Sequence, residues 1–205
     1  MKMTDRILVT GATGFLGRAL VSGLVLNEHY LPRAASRQTA RSLSEGIEAV
    51  QVSGLGPGAD WNEAVKGVDV VIHAAARVHI MKDQLSDPLT EFRKVNVEGT
   101  LNLARQSVDA GVRRFIFISS IKVNGENTCP GEPFFADVPP APEDPYGVSK
   151  MEAEKGLRAL VAETGMEVVI IRPPLVYGLG VKANFLNMMR WLHRVIPLPF
   201  GPIHN

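Results

Sequence analysis

Tyr146 and Lys150 stand four residues apart in the stretch "DPYGVSKMEAEKGLRAL". On a helix, that spacing places them on one face. A lysine so placed can lower a tyrosine pKa by charge proximity. A phenol brought nearer neutrality can pass a proton to or from a sugar or alcohol oxygen, and a nicotinamide would take or give the accompanying hydride. Ser120, at the end of the apolar run "RRFIFISS", can hydrogen-bond the same oxygen. Taken alone, the tyrosine and lysine read equally well as a surface pair. What raises them above that is their place downstream of a glycine-rich turn and of the strand-end serine.

The turn lies in "ILVTGATGFLGRAL", which begins at Ile7. Gly11, Gly14 and Gly17 follow an apolar run and precede a helix-like stretch. Glycines there permit a tight turn and let the backbone approach a pyrophosphate, while the helix N-terminus offers free N–H groups and a positive dipole end. The spacing is G-x-x-G-x-x-G rather than G-x-G-x-x-G, and the alternative is a strand–helix turn with no ligand. The end of a second strand normally supplies an acid for the adenosine ribose. No Asp or Glu occurs here from residue 31 to residue 44, where Ser36, Arg37 and Arg41 stand instead. A guanidinium at that place suits a 2′-phosphate, so NADP is favoured and NAD is the other option; solvated arginines are the plain alternative.

These residues need a frame. Apolar β-type runs at residues 6–10, 33–36, 49–52, 68–74, 114–119 and 167–172 alternate with helix-like stretches at 15–26, 61–65, 89–110, 146–164 and 183–194. Continuous apolar runs such as "VDVVIHAA" belong to strands buried on both faces of parallel sheets. The alternation implies an α/β fold: a Rossmann-type doubly wound parallel sheet with helices on both faces. Residues 1–175 form its dinucleotide-binding domain. Gly111 and Gly165 are placed to stop two of the helices. Residues 125–147 are rich in Pro and Gly and form a long loop ending at Tyr146.

Bulk properties exclude several classes. The chain has 205 residues, 45% hydrophobic, with a net charge of +1, so no global field favours nucleic acid or an acidic membrane. No segment approaches the ~20 apolar residues of a membrane span, and the N-terminus has no secretory signal. A cytoplasmic protein is the default reading. The single cysteine, Cys129, excludes an intrachain disulfide and a cysteine-based metal cluster. No His/Asp/Glu set has metal-site spacing, and His73, at the end of a buried strand, reads as structural.

The pieces "TGATGFLG", "VDVVIHAAA", "VNVEGT", "FIFISS", "YGVSK" and "IIRPPLVYG" keep their order along nearly the whole chain. In them the sequence resembles the extended short-chain dehydrogenase/reductase superfamily, in its NAD(P)-dependent sugar-nucleotide epimerase/dehydratase branch. That resemblance implies that Gly11, Thr13, Gly14, Phe15 and Leu16 hold the pyrophosphate. It implies that Ala74, Ala75 and Ala76 line the cofactor, that Asn96 hydrogen-bonds near it, that Lys150 contacts the nicotinamide ribose and that Pro173 packs by the nicotinamide. Ser120 and Tyr146 would act on the substrate oxygen. Alternatively, the three alanines serve only tight packing, and Asn96 serves a helix surface or cap.

Two departures refine the expectation. Relatives often carry an Asp near the adenine after the third strand; here Gly54 and Leu55 stand there, and Leu55 is left to pack on the ring. The 4,6-dehydratases place an Asp-Glu pair straight after the catalytic Ser or Thr, whereas this chain has Ile121 and Lys122, which argues against a dehydratase. Residues 176–205 would begin the substrate lobe. Asn184 would donate to a nucleotide-sugar diphosphate and "PLPFG" would cover its base, unless Asn184 caps a helix and "PLPFG" is core. Family members run well beyond this length, so the chain is expected to bind dinucleotide and turn over sugar poorly. The leading expectation is epimerisation or 4-keto reduction of a nucleotide-sugar, a UDP-hexose, in a homodimer built on the helices at 89–110 and 146–164. The rivals are a reductase of a non-sugar ketone and a non-catalytic dinucleotide-binding protein.

Overall fold

Six short strands of β-branched and aliphatic residues pair into one sheet, and every pair is parallel. In a computed structural model, residues 4–37, 47–78, 87–128, 131–181 and 183–194 are described. The strands are β1 (Asp5–Thr10), β2 (Tyr30–Ser36), β3 (Glu48–Gln51), β4 (Val70–His73), β5 (Arg114–Ile118) and β6 (Glu167–Ile171), in the order β3-β2-β1-β4-β5-β6. The connecting helices are α1 (Phe15–Val25), α2 (Asn62–Val65), α3 (Pro88–Phe92), α4 (Gly99–Asp109), α5 (Pro145–Thr164) and α6 (Ala183–His193). This order is that of a doubly wound sheet, with its topological switch between β1 and β4. The expected Rossmann architecture is therefore present. Among the described residues no helix is long and apolar enough to cross a membrane.

Side-chain alternation divides the core into two layers. Leu8, Val71, Phe115 and Phe117 face one layer, where Trp61, the N-cap of α2, and Val65, Leu103 and Leu157 from α2, α4 and α5 meet them. Ile7, Val9, Val70 and Ile72 face the other, against Val21 of α1. β4 is buried throughout, as its continuous apolar run implies. β5 and β6 differ from that expectation. Ile116 and Ile118 are only half-buried, and Val169 and Ile171 are exposed, because α1 covers the β1 side of this layer and not the β6 side.

Most boundaries differ from the expected ones by one to three residues, and three of the differences have a physical reason. β2 starts at Tyr30, ahead of the expected residue 33, and runs through Pro32; pairing with β3 begins only at Arg33, so Pro32 interrupts no ladder on that side. The helix expected over 89–110 begins at Pro88 and contains a π-helical stretch, Arg93–Glu98, between α3 and α4. The helix starting near Tyr146 has Asp144 as its N-cap and Pro145 at its first position, and it ends at Gly165 with φ 72°.

His73 clamps three elements. Its Nδ1 lies 2.7 Å from Thr10 Oγ1 on β1, and its Nε2 lies 3.0 Å from Thr100 Oγ1 on α4. Its ring stacks on Phe117, with centroids 5.9 Å apart. Burial first, and the charge of Lys150 second, lower its pKa from 6.5 to about 3. The structural reading of this histidine fits that environment.

The folded chain stays unprotonated at His73 while the unfolded chain takes up a proton, so stability falls as pH drops from 6.5 toward about 3. Full displacement costs about 1.4 kcal/mol per pH unit. Urea titrations across that window should show this loss, and a His73→Asn variant, weaker at neutral pH, should show a flatter pH dependence. An unchanged slope in the variant would assign the acid lability elsewhere.

Candidate functional site

The glycine turn is shaped by contacts that exclude side chains. Gly11 has φ 67°, and a Cβ there would stand 2.9 Å from the Ala75 N atom. A Cβ on Gly17 would overlap the Gly11 carbonyl oxygen. The turn is thereby pressed on the segment after β4, where Ala75 N–H also donates to Thr10 Oγ1 (3.2 Å). Thr13, Gly14 and Phe15 form its exposed edge, and Leu16 is half-buried. Gly14 is the N-cap of α1; no side chain caps that helix and no acid lies in its first turn. An uncapped helix N-terminus behind a glycine cradle fits the diphosphate of a dinucleotide.

The motif "VNVEGT" is read out residue by residue. Asn96 is buried; its Oδ1 accepts from Arg77 N–H (2.8 Å), and its Nδ2 donates to Arg77 O and to Ser149 Oγ (3.0 Å each). It therefore fixes the segment carrying Ala74, Ala75 and Ala76, all half-buried, and joins it to α5. A Cβ on Gly99 would overlap the Leu55 carbonyl oxygen, so α4 lies directly on the segment after β3. The Leu55 side chain packs against the larger core layer. Thr100 holds His73.

At the other cofactor end, Ser36 is buried at the close of β2 and Arg37 is exposed, its carbonyl accepting from Gln51 Nε2 (3.4 Å). Arg41, Cys129 and "PLPFG" lie outside the described residues. Asn184 is the second residue of α6; its side chain is likewise outside the description.

Lys150 is fully buried on α5. Its Nζ donates to Ile118 O at the end of β5 (2.8 Å), lies 4.4 Å from the Phe117 ring centroid and 6.0 Å from that of Tyr146. Burial lowers its pKa to about 7, against a smaller upward pull from Glu154. The Tyr146 phenol is pushed up, first by burial and then by Asp144, while Lys122 pulls it down. This corrects the expectation that Lys150 lowers the phenol: a lysine that burial has brought near 7 carries only part of a charge at neutral pH. Ser120 begins the turn after β5, where its Oγ accepts from Lys122 N–H (3.3 Å). Pro173 O accepts from Ile121 N–H (3.1 Å), which brings the end of β6 to the same turn.

A second network anchors the long loop. Arg172 donates to both carboxylate oxygens of Glu154 (2.9 and 2.6 Å) and to Asn124 Oδ1 (3.1 Å), and Ser119 Oγ donates to Glu154 Oε1. Asn124 Nδ2 in turn donates to Phe135 O. Sequence reading missed this pair and the Asp144 cap. The dipeptide Asp144-Pro145 carried the second signal, as a capping acid before a first-turn proline. Nothing local announces the Glu154–Arg172 pair, whose members are on different elements.

The glycine geometry separates two substitutions in one helix. Gly17→Ala should cost about 1–3 kcal/mol and weaken dinucleotide binding, because α1 must move off Gly11. Gly23→Ala, whose Cβ meets nothing within 4 Å, should raise stability by about 0.5–1 kcal/mol. Thermal melts and calorimetric titration of both variants check this.

Comparison with known proteins agrees with this arrangement. The chain is 51% identical over 202 residues to a UDP-glucose 4-epimerase of Vibrio cholerae, covering 98% of this chain and 61% of that one. It is 32% identical to a 3-beta-hydroxysteroid dehydrogenase of Mycolicibacterium neoaurum, covering 88% of this chain and 50% of the other. Among solved structures, MoeE5 in complex with UDP-glucuronic acid and NAD superposes with a TM-score of 0.75 at 28% identity, covering 91% of this chain and 60% of MoeE5. The chain thus spans between half and three-fifths of the length of these relatives. Residues 7–197 match the NAD dependent epimerase/dehydratase family, and the chain belongs to that family.

Proposed function

We propose that this chain carries the dinucleotide-binding and proton-transfer half of a nucleotide-sugar enzyme, an epimerase or 4-ketoreductase acting on a UDP-hexose. The observation that carries the reading is the buried Lys150 amine, 6.0 Å from the Tyr146 ring and held at the end of β5 next to the Ser120 turn. The 51% identity to a UDP-glucose 4-epimerase supports the sugar substrate over a steroid, the 3-beta-hydroxysteroid dehydrogenase standing at 32%.

A nicotinamide dinucleotide, bound, supplies an acceptor and donor of hydride. Gly11, Thr13, Gly14, Phe15 and Leu16 would hold its diphosphate, and Ala74 to Ala76, Asn96, Leu55 and Pro173 would frame the rest. Lys150 would hold the ribose. Tyr146 would exchange a proton with the sugar oxygen, Ser120 hydrogen-bonding the same atom. Oxidation of a C4 alcohol would need Tyr146 as its phenolate to take the oxygen's proton, with the bound dinucleotide as the hydride acceptor; in reduction the neutral phenol would return that proton to the keto oxygen. Asn184 and α6 would begin the substrate side. The dimer implied by the resemblance would pair α4 and α5 of two copies.

The phenol, pushed upward by burial and Asp144, is in its protonated form at neutral pH, which serves the reductive half of either reaction. The cofactor choice turns on Arg37: the absence of acids from residue 31 to 44 suits NADP, whereas MoeE5 carries NAD.

Calorimetry with NAD(H) and NADP(H), then with UDP-glucose and UDP-N-acetylglucosamine added, tests the reading. Dinucleotide should bind, with a further response to a UDP-sugar; an NADP preference should vanish in Arg37→Ala. Tyr146→Phe should keep dinucleotide binding and lose about 10²-fold or more in turnover. Absence of any dinucleotide binding would overturn the proposal. Conversion of UDP-glucose without net cofactor consumption would select epimerisation, and consumption of reduced cofactor by a 4-keto sugar would select reduction. Sedimentation decides the dimer.

A further inference from the structure

We propose that Lys122 is a positioning residue for Tyr146: its ammonium clasps the N-cap of α5 to the turn after β5 and so sets the Tyr146 phenol against the Ser120 hydroxyl. The inference rests on the reading of Ser120 and Tyr146 as the pair that meets the substrate oxygen. Lys122 belongs to the same turn as Ser120 and donates to its hydroxyl through the main chain. Its side chain then crosses to the other element. Nζ donates to Asp144 Oδ2 (2.7 Å) and to Glu126 Oε1 (2.6 Å). The second Asp144 oxygen accepts from Gly147 N–H (2.6 Å), as the cap of the helix that carries Tyr146. One carboxylate thus holds the helix with one oxygen and the serine-bearing turn with the other.

The backbone seam beside this clasp is close. A Cβ on Gly147 would stand 3.0 Å from Lys122 O and 3.1 Å from Pro142 Cβ, so the residue after Tyr146 approaches the turn as only glycine allows without adjustment. Ala141 N–H donates to Val123 O (3.0 Å) along the same seam. The clasp is partly exposed, with Lys122 and Asp144 side chains 38% and 36% accessible. Exposed pairs of that kind contribute little to global stability. Its effect is therefore local, on placement and on the field at the phenol.

That field can be named group by group. Asp144 raises the Tyr146 pKa and Lys122 lowers it. Glu126 bonds Lys122. Lys150 is 6.0 Å from the ring on the same helix. From the α3 side, Phe92 meets the ring edge-on at 6.0 Å, with the Arg93–Glu152 pair beside it. Removing Lys122 leaves two carboxylates without their shared cation near the phenol.

The test uses the full chain with Lys122→Gln and Lys122→Arg, each alone and combined with Tyr146→Phe. The difference in ultraviolet phenolate absorbance isolates Tyr146 among the three tyrosines. Lys122→Gln should move the Tyr146 titration to higher pH, Lys122→Arg should restore it, and the melting temperature should hold in both. In turnover, kcat for Lys122→Gln should fall between about tenfold and a hundredfold, with dinucleotide affinity unchanged. A folded Lys122→Gln protein whose Tyr146 titration coincides with the parent's overturns the proposal. Failure of the parent to turn over any nucleotide-sugar would instead sink the functional reading, and the phenol titration would still decide the role of Lys122.

Discussion

A lysine amine buried at the carboxyl end of β5 is the constraint around which this fold is arranged. A buried charge is costly unless it finds partners. Lys150 has one carbonyl, Ile118 O, and the face of Phe117. That is not enough to hold a full charge, and its pKa settles to about 7. One helical turn further on, Glu154 is itself buried and bound by Arg172 and Ser119. Across the sheet layer, His73 stays neutral, so no second cation forms beside the amine.

The same economy of contact explains the π-helical stretch. Asn96 must face the segment after β4 and also reach Ser149, while Gly99 must lie on Leu55 and Thr100 must reach His73. These partners lie on β4, on α5 and on the segments after β3 and β4. A wider turn at Arg93–Glu98 is found where Asn96 makes its contacts, and the regular helix resumes at Gly99. Interruptions of this kind are frequent at functional sites.

Much of this was legible in the chain itself. The strand–turn–helix context of Gly11, the continuous apolar run of β4 and the Tyr146–Lys150 spacing are each written within a few residues, so the fold and the elements that carry the candidate residues followed from local pattern. What local pattern could not encode was anything made between elements. The Glu154–Arg172 pair joins α5 to the end of β6, and Asn96 bonds a segment nineteen residues upstream. β5 read as buried on both faces because its composition is apolar. Its cover depends on where α1 lies, which the strand's own residues do not specify.

The two lysines of the site make the point in electrostatic terms. Spacing alone assigns the charge near Tyr146 to Lys150, since the two share a helix face. Environment reverses the assignment. Lys150 is stripped of water and drops to about 7, whereas Lys122 is bound by Asp144 and Glu126 and pushed above its ordinary value. The ammonium that pulls the phenol down therefore belongs to the turn after β5, and it is held by Asp144, which pushes the phenol up. Lys150 is left with an amine able to change protonation near neutral pH. A residue at the position that carries an acid in the dehydratases thus brings the opposite charge to the same tyrosine. With that change the turn after β5 carries a cation held by the cap of the helix that bears Tyr146.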